Sequence, residues 1–239
     1  MMKPPMMNDA MNDAVNSVVN NAVRKFGMYT NALVIGLTGN IATGKSTVME
    51  FFAKVGAYII DADKLSHRSI EPGGPAYAAV IKEFGRAILQ EDGTVNRRAL
   101  GEIVFADANL LKKLEQIVHP AVFNLVVELV ARAPSPLVIL EAVKLLEAGP
   151  MVSQCDEVWV VTARPDVQLR RLMEQRGMSE EAARGRMGMQ SPQAAKVNQA
   201  DRVIENSGTL EELYAQLERI WAELKVKYPK RMAQLAVSS

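Results

Sequence analysis

The sequence predicts an α/β protein in which a parallel β-sheet is flanked by helices. Short apolar runs alternate along the chain with longer segments of helical periodicity, a pattern typical of parallel sheets. A Pro-containing break at 133–136 comes directly before one of these runs. With 239 residues, 49% of them hydrophobic, the chain is long enough to bury a substantial core, either as one domain or as one core with an inserted subdomain.

Five apolar runs are predicted to be the strands of this sheet, at 32–38, 57–60, 137–140, 157–161 and 202–205. Helical patterns occupy the intervals, at 45–55, 166–175 and 179–190, and over 75–131 with a turn at 90–96. A final amphipathic helix is predicted over 209–228. It begins with Thr209 and Glu212, which have the spacing of a capping box.

This order of elements divides the chain into three regions. Residues 1–31 are an extension rich in Asn and Met, which we expect to be poorly ordered or to form a short amphipathic helix. One domain covers 32–228 and contains a helical insertion at about 64–133 and a charged helical hairpin at about 165–190. Residues 229–239 form a C-terminal tail.

Composition argues against several classes of function. The net charge of +1 gives no bulk attraction to nucleic acid or to a membrane surface. No continuous apolar run reaches the roughly 18 residues needed to span a bilayer, and the N-terminus lacks the apolar centre of a signal peptide. A single cysteine, Cys155, cannot form an internal disulfide. We expect a cytoplasmic protein, and Met28 is a candidate start of the functional chain.

The segment GNIATGKS, which begins at Gly39, matches the pattern G-x-x-x-x-G-K-[ST] between a predicted strand and a predicted helix. Backbone N–H groups of such a loop converge on an anion, and the helix dipole adds partial positive charge. Lys45 can reach the β- and γ-phosphates of a nucleoside triphosphate, and the Ser46 hydroxyl can bind Mg²⁺. The alternative is a glycine-rich turn with a chance lysine. The predicted nucleotide-binding residues are Gly39, Asn40, Ile41, Ala42, Thr43, Gly44, Lys45, Ser46 and Thr47.

Two aspartates indicate which type of nucleotide-binding protein this is. The chain lacks the Asn-Lys-x-Asp motif of GTPases and the Leu-Ser-Gly-Gly-Gln signature of ABC-type ATPases. Asp61 and Asp63 follow the second predicted strand, at the sheet edge where open α/β proteins bind ligands. A carboxylate there can accept a proton from an acceptor hydroxyl or hold Mg²⁺ through water, although one of the two could instead cap the next helix. A small kinase is favoured, with Asp63 the stronger candidate.

The charged hairpin supplies cations for such a site. Arginines can swing over the phosphates as a lid and stabilise charge that develops during transfer, or they can simply form a solvated surface. The spacing does not show which of them acts. The arginines of the hairpin are Arg170, Arg171, Arg176, Arg184 and Arg186.

A series of motifs follows in order along the chain, in a region that extends from about residue 33 to residue 224. The motifs are GLTGNIATGKST, IIDADKLSH, EPGGPAY, DGTVNRRALGEIVF, LEQIVHPAV, EAVKLLEAG, CDEVWVV, QLRRLMEQRGMSEEAARGRMGMQ and ADRVIENSG. Together they resemble dephospho-CoA kinases, which phosphorylate the ribose 3′-hydroxyl of dephospho-coenzyme A with ATP. The resemblance implies a P-loop NTPase-like core, a helical domain that helps to bind the CoA moiety, and a lid.

The resemblance also implies roles for individual residues. Asp63 matches the proposed catalytic aspartate. Acceptor binding is implied for Arg97 and His119, a lid function for Arg171 and Arg186, and a position near the ATP base for Asn206 and Gly208. The alternatives are a satisfied helix-terminus histidine for His119, a surface ion pair for Arg97 and a simple strand-to-helix turn for the segment at 206–208.

Four positions depart from the family pattern. Asn40 and Ala42 stand where glycine is usual; Asn tolerates positive φ, whereas Ala42 predicts an ordinary backbone conformation at that point. Lys144 replaces an apolar residue and puts the local acceptor pocket in doubt. Gln175 occupies a frequent arginine position of the lid, with Arg176 adjacent as a substitute.

The sequence therefore predicts a kinase in which the loop and Lys45 position ATP and Mg²⁺ binds through Ser46 and water. Asp63 orients or deprotonates the ribose hydroxyl, and Glu141, at the end of the third strand, supports Mg²⁺ indirectly. The expected partners are ATP and dephospho-CoA, without nucleic acid or membrane and with the oligomeric state open. The alternatives are another small-metabolite or nucleotide kinase and a nucleotide-binding regulatory module without transferase activity.

Overall fold

A sheet of five parallel strands forms the centre of the fold. The computed structural model describes residues 32–147, 149–233 and 235. Within them the strands are β1 (Leu33–Thr38), β2 (Tyr58–Asp61), β3 (Leu137–Glu141), β4 (Glu157–Thr162) and β5 (Arg202–Glu205). All pairs are parallel, in the order β2-β3-β1-β4-β5. The predicted strands are confirmed, and the predicted and observed ends differ by no more than one residue.

The two faces of the sheet are both covered, which explains why the strands read as continuous apolar runs. Alternate residues of β1 point to opposite sides: Ile35 packs in one core cluster and Val34 in the other. On the Ile35 side, Phe52 and Trp159 are fully buried, with their ring centroids 5.2 Å apart. That side is closed by α1 (Lys45–Lys54), which begins directly after the glycine-rich loop.

The opposite face is covered by the helical insertion. Its elements are α2 (Ala62–Ser69), α3 (Tyr77–Phe84), a 3₁₀ turn (Arg86–Ile88), α4 (Arg97–Ala106) and α5 (Ala108–Ala131). The predicted turn at 90–96 is observed between α3 and α4, where a bridge joins Leu89 to Val95. Tyr77 donates a hydrogen bond to the Gly93 carbonyl oxygen over 2.5 Å and holds this turn against α3.

Helix α5 is long and apolar enough to cross a membrane by length and composition alone, although its apolar residues are not continuous in sequence. A core helix of a globular protein satisfies the same two criteria. Residues at four-residue intervals along α5 are buried in the core on the insertion side of the sheet: Val118, Val122, Val126 and Val130.

The second half of the chain adds the hairpin and a C-terminal helix. These elements are a 3₁₀ turn (Gly149–Gln154), α6 (Pro165–Arg176), α7 (Glu180–Gly188), α8 (Gln193–Val197), α9 (Leu210–Lys227) and α10 (Pro229–Met232). The capping box of α9 is confirmed, with reciprocal hydrogen bonds between Thr209 and Glu212. The 3₁₀ turn at Gly149–Gln154, α8 and α10 were not predicted. Because Met232 is buried, the segment predicted as a tail begins with a packed helical turn, whereas the predicted extension 1–31 lies outside the described residues.

Candidate active site

The glycine-rich loop runs from the carboxyl end of β1 to the first turn of α1. Gly39 has φ +151° and Gly44, the residue before α1, has φ +95°. A Cβ at Gly39 would collide with the Val161 carbonyl oxygen, and one at Gly44 would collide with the Asn206 amide nitrogen. Both glycines are therefore required by backbone conformation and by close packing.

The expectation of an ordinary backbone conformation at Ala42 was wrong. Ala42 has φ +58° and is the one non-glycine residue with positive φ among the described residues. Asn40 does not have a positive φ. The loop needs a left-handed conformation at residue 42 to turn its backbone toward the first turn of α1, and this geometry overrides the ordinary preference of alanine. Asn40 serves as an anchor instead, because its side-chain amide donates to the Ser191 carbonyl oxygen over 3.1 Å.

We expect the substitution Ala42→Gly to raise the free energy of unfolding by about 1 kcal/mol, because glycine removes the strain of a left-handed Cβ. Ala53→Gly, on the exposed face of α1, is the matched control, and it should lower the free energy of unfolding by about 0.5–1 kcal/mol. Urea unfolding of both variants measures the effect. Destabilisation by Ala42→Gly comparable to that of the control would contradict the strain at residue 42.

A brace behind the loop holds its carbonyl groups. Asn206 donates through Nδ2 to the Thr43 carbonyl oxygen over 2.7 Å. Arg171 donates to the Ala42 carbonyl oxygen over 3.2 Å and to the Asn206 carbonyl oxygen over 2.9 Å. Because these carbonyl groups are held from behind, the loop N–H groups that donate to no protein acceptor are left to face an anion. Arg171 and Asn206 thus lie against the back of the loop, and Gly208 is an exposed residue just before the Thr209 cap.

The segment after α7 contacts the other side of the loop. The Ile41 N–H donates to Oε1 of Gln190 over 2.7 Å, beside the contact between Asn40 and Ser191. The Ser191 hydroxyl also donates to Glu147 over 2.6 Å. Sequence reasoning missed Gln190 and Ser191 because amide and hydroxyl side chains after a helix carry no pattern that distinguishes a contact from a turn.

Four charged groups meet at the carboxyl ends of the central strands. Parallel pairing aligns Asp61 and Leu37 with Glu141 across three adjacent strands. Lys45 donates to the Gly39 carbonyl oxygen over 2.9 Å, and its Nζ lies 3.7 Å from Oε1 of Glu141. Both side chains are almost fully buried. The result is a lysine held at the sheet edge between the loop and a buried carboxylate.

Burial and mutual repulsion shift the protonation of this cluster. Burial raises the pKa of Glu141 from 4.5 to about 7; Lys45 lowers it, while Asp63 and Asp61 raise it further. Desolvation and the Asp61 carboxylate raise the pKa of Asp63, against the effect of Lys45. Burial lowers the pKa of Lys45, Glu141 and Asp63 oppose this, and the positive charge of Arg176 lowers it further. The carboxylates therefore attract cations and protons more strongly than isolated ones.

The two aspartates have different environments. Asp61 is the N-cap of α2, and its side chain accepts a hydrogen bond from the Lys64 N–H over 2.9 Å. Capping thus accounts for Asp61. Asp63 lies in the first turn of α2, where it is close to Lys45 and Asp61 and also lines a large cavity. Of the two, only Asp63 has the position that a residue acting on an acceptor requires.

We expect the pH dependence of stability to report on Glu141. Folding raises the pKa of Glu141, so the protonated carboxyl stabilises the folded state. This stabilisation is fully present below pH 4.5 and is lost as pH rises through about 7. The free energy of unfolding of the ligand-free protein, measured relative to a Glu141→Gln variant, should fall by up to about 3 kcal/mol between pH 5 and pH 8. Chemical denaturation across this range gives the difference, and a difference that is constant with pH would contradict the shift.

A cavity of about 1040 Å³ opens beside Asp63, between the helical insertion and the segment after β3. Arg97 and His119, predicted to bind the acceptor, both line it. Lys144 lines it too, and its Nζ pairs with Oε1 of Glu115 on α5 over 3.1 Å. The unexpected lysine therefore does not fill the cavity, because it extends along the wall to a carboxylate on the opposite helix.

A family model described as dephospho-CoA kinase matches residues 33–212, which is three quarters of the chain. The chain belongs to the dephospho-CoA kinase family. A dephospho-CoA kinase of Geobacter sulfurreducens is 42% identical over 80% of this chain and 98% of its own length. One of Aquifex aeolicus is 44% identical over 80% and 96%. The resemblance predicted from the ordered motifs is confirmed.

Solved structures agree with this family. A protein of Thermus thermophilus has a TM-score of 0.70 at 36% identity, covering 81% of this chain and 98% of its own. Dephospho-CoA kinase of Campylobacter jejuni has a TM-score of 0.61 at 25% identity, covering 80% and 96%. The predicted P-loop kinase architecture is therefore confirmed by fold as well as by sequence.

Four of the five hairpin arginines are in different situations within this kinase fold. Arg184 pairs with Glu180 on the surface of α7 over 2.7 Å, which is the solvated arrangement considered as the alternative. Arg186 is exposed and makes no ion pair with any residue that the structure describes. Arg176, next to Gln175, is close enough to Lys45 to affect its pKa. The positive charge of Arg176 therefore acts on Lys45, and Arg171 braces the loop.

Proposed function

We propose that this chain transfers the γ-phosphoryl group of ATP to the ribose 3′-hydroxyl of dephospho-coenzyme A, giving coenzyme A and ADP. The observation that carries the proposal is the position of Asp63, which belongs to the charged cluster around Lys45 and also lines the large cavity. A residue at this junction can touch an acceptor hydroxyl while the loop holds the donor.

The proposed chemistry uses the two sides of this junction. The loop N–H groups and Lys45 bind the β- and γ-phosphates, with the first turn of α1 adding its dipole. The 3′-oxygen attacks the γ-phosphorus, the bond from that phosphorus to the bridging oxygen breaks, and ADP leaves with the bonding electrons. The proton of the hydroxyl passes to the Asp63 carboxylate, whose raised pKa makes it a better base than an isolated aspartate.

The acceptor is proposed to occupy the cavity. Arg97, His119 and Lys144 place cationic or hydrogen-bonding groups on its wall, which suits the diphosphate of dephospho-coenzyme A. Aliphatic and aromatic residues of α4 and α5 line much of the rest, and these suit the adenine ring and the pantetheine chain. The acceptor would thus lie with its ribose toward Asp63.

The residues present fit Mg²⁺ bound together with the nucleotide. Among the described residues no three His, Cys, Asp or Glu side chains form a metal-binding group, and Mg²⁺ on nucleotides usually takes one or two protein oxygens, phosphates and water. Ser46 supplies a hydroxyl at the start of α1, and Asp63 and Glu141 repel one another, which a divalent cation would relieve. When bound, the ion neutralises negative charge on the phosphates.

The lid is proposed to be the hairpin at about 165–190. Arg171 keeps the loop in shape, and Arg176 and Arg186 are the arginines left to approach the transferring group. The insertion at about 64–133 is proposed as the acceptor-binding region of the domain 32–228. We further propose a cytoplasmic enzyme whose partners are its two substrates, without nucleic acid or membrane.

A coupled ADP-release assay with a panel of acceptors tests this function. Dephospho-coenzyme A should be the preferred acceptor over adenosine, AMP and shikimate when each is supplied with ATP and Mg²⁺. Preference for another member of the panel would indicate a different small-molecule kinase. Binding of ATP without transfer to any acceptor would indicate a regulatory nucleotide-binding module and overturn the proposal.

A further inference from the structure

Lys196 is a buried lysine that the mechanism above does not use. It belongs to α8, the short helix between the hairpin and β5, and only 4% of the residue is exposed to solvent. Lysine is rarely buried to this degree unless it is paired with an opposite charge. Its position therefore requires an explanation beyond packing.

The ammonium of Lys196 has an incomplete set of partners. Its Nζ donates to the Val143 carbonyl oxygen over 2.9 Å. Within the part of the chain that the structure describes, no carboxylate oxygen lies within 4.0 Å of this nitrogen. An ammonium has three donors, and a buried positive charge without a counter-ion is costly. The unused donors and the lack of a direct ion pair among the described residues together favour an anionic ligand.

The surroundings of Lys196 locate that ligand. Burial lowers the pKa of Lys196, Glu147 raises it, and the positive charge of Lys45 lowers it further, so the two lysines are within electrostatic reach. The Val143 carbonyl oxygen that accepts from Lys196 also accepts from the hydroxyl of Thr38 over 3.0 Å. Thr38 is the last residue of β1 and directly precedes the phosphate-binding loop. Lys196 therefore lies close to the residue that precedes that loop.

Val143 also connects Lys196 to the proposed catalytic aspartate. Desolvation and Asp61 raise the pKa of Asp63, and a hydrogen bond to the backbone of Val143 lowers it. The backbone of Val143 is thus close enough to Asp63 to affect its pKa, and the Val143 carbonyl oxygen accepts from Lys196. Lys196, Asp63 and Thr38, which directly precedes the loop, therefore have Val143 as a shared neighbour.

We infer that Lys196 is a second phosphate-binding lysine, whose ammonium contacts the γ-phosphoryl group of ATP from the side of the segment after β3. The effect expected on catalysis rests on the proposed phosphoryl transfer. The effect expected on nucleotide affinity does not depend on it. Lys45 and Lys196 would bracket the γ-phosphate, so that negative charge shared among its oxygens during transfer meets a cation on two sides.

Nucleotide affinities measured by calorimetry with Mg²⁺ test the contact without any acceptor. In Lys196→Met, we expect affinity for the non-hydrolysable analogue adenylyl-imidodiphosphate to fall by about tenfold or more, the effect of losing one hydrogen bond between charged groups. Affinity for ADP, which has no γ-phosphate, should change less than twofold by the same reasoning. Lys54→Met, an exposed lysine at the far end of α1, is the control and should change neither affinity.

Two further variants separate a phosphate contact from a structural tie. Lys196→Gln can still donate to the Val143 carbonyl oxygen but lacks the charge, so it should behave like Lys196→Met, and Lys196→Arg should retain most of the affinity for the analogue. Equal weakening of ADP and analogue, or an unchanged affinity for the analogue, would overturn the inference. So would failure of both uncharged variants to fold, because Lys196 would then be a tie between α8 and the segment after β3.

Turnover distinguishes failure of this inference from failure of the proposed function. If the wild type phosphorylates dephospho-coenzyme A, kcat should fall by about a hundredfold or more in Lys196→Met. An unchanged kcat in an active enzyme would contradict the inference alone. A wild type inactive with dephospho-coenzyme A would contradict the function, while the ratio of the two nucleotide affinities would still decide the role of Lys196.

Discussion

Replacing Asp63 with asparagine is expected to lower kcat for dephospho-coenzyme A by about 10²–10⁴-fold, the usual contribution of a positioned general base. Asparagine keeps the size of the side chain but cannot take the proton of the ribose hydroxyl. ATP affinity should stay within about threefold, because the loop and Lys45 carry the phosphate contacts. Steady-state kinetics and calorimetry with ATP give the two quantities.

Asp61→Asn is the matched control for this experiment. Asp61 lies two residues earlier on the same segment, and its side chain caps α2. Asparagine caps a helix about as well as aspartate, so the free energy of unfolding should change by no more than about 0.5 kcal/mol and kcat by less than about tenfold. Equal losses of kcat in the two variants would show that the local negative charge matters more than a specific base at Asp63.

Replacing Lys45 with methionine is expected to produce the second large loss. The ammonium lies at the loop beside Glu141, and no other group of the loop places a positive charge there. Loss of a charged contact to the transferring group should lower kcat/KM for ATP by about 10³-fold. The variant also leaves Glu141 buried without its partner, and the pKa of that carboxyl should then rise above its present value of about 7.

A double variant separates these two consequences. In Lys45→Met combined with Glu141→Gln, the unpaired buried carboxyl is removed, so thermal stability above pH 7 should exceed that of the single Lys45→Met variant. Activity should not return, because the phosphate contact is still missing. Recovery of activity together with stability would mean that Lys45 acts mainly by compensating Glu141.

The sequence was sufficient for the fold because its signals there are redundant. Each strand is a buried apolar run, and the loop motif stands between a strand and a helix, so pattern and context agree. The capping box of α9 was predicted for the same reason. The short elements were missed, including α8, since a helix of five residues is stabilised by tertiary contacts and leaves little periodicity.

The candidate site was predictable only in part. Motif spacing identified the loop residues and the pair of aspartates and favoured Asp63, but only the structure shows that Asp61 caps α2. The left-handed conformation of Ala42 was missed because residue type usually predicts the opposite. Lys196 could not be found in the sequence, since nothing in the spacing of a single lysine shows that it is buried beside Val143.

Arg171 illustrates the limit for long side chains. Its position in the hairpin suggested a mobile lid arginine, yet its guanidinium donates to carbonyl oxygens of Ala42 and Asn206. The first of these contacts joins residues 129 positions apart in the chain and the second joins residues 35 apart, and only the folded arrangement brings them together. The approach of Arg176 and Arg186 to a bound nucleotide stays a prediction.

The identity of the product shows where the phosphoryl group goes. The wild-type protein is incubated with ATP, Mg²⁺ and dephospho-coenzyme A, and the product is analysed by phosphorus NMR and mass spectrometry. We expect coenzyme A with its new phosphate on the ribose 3′-oxygen and one ADP for each coenzyme A formed. Release of ADP without coenzyme A, or phosphate attached at another position, would contradict it.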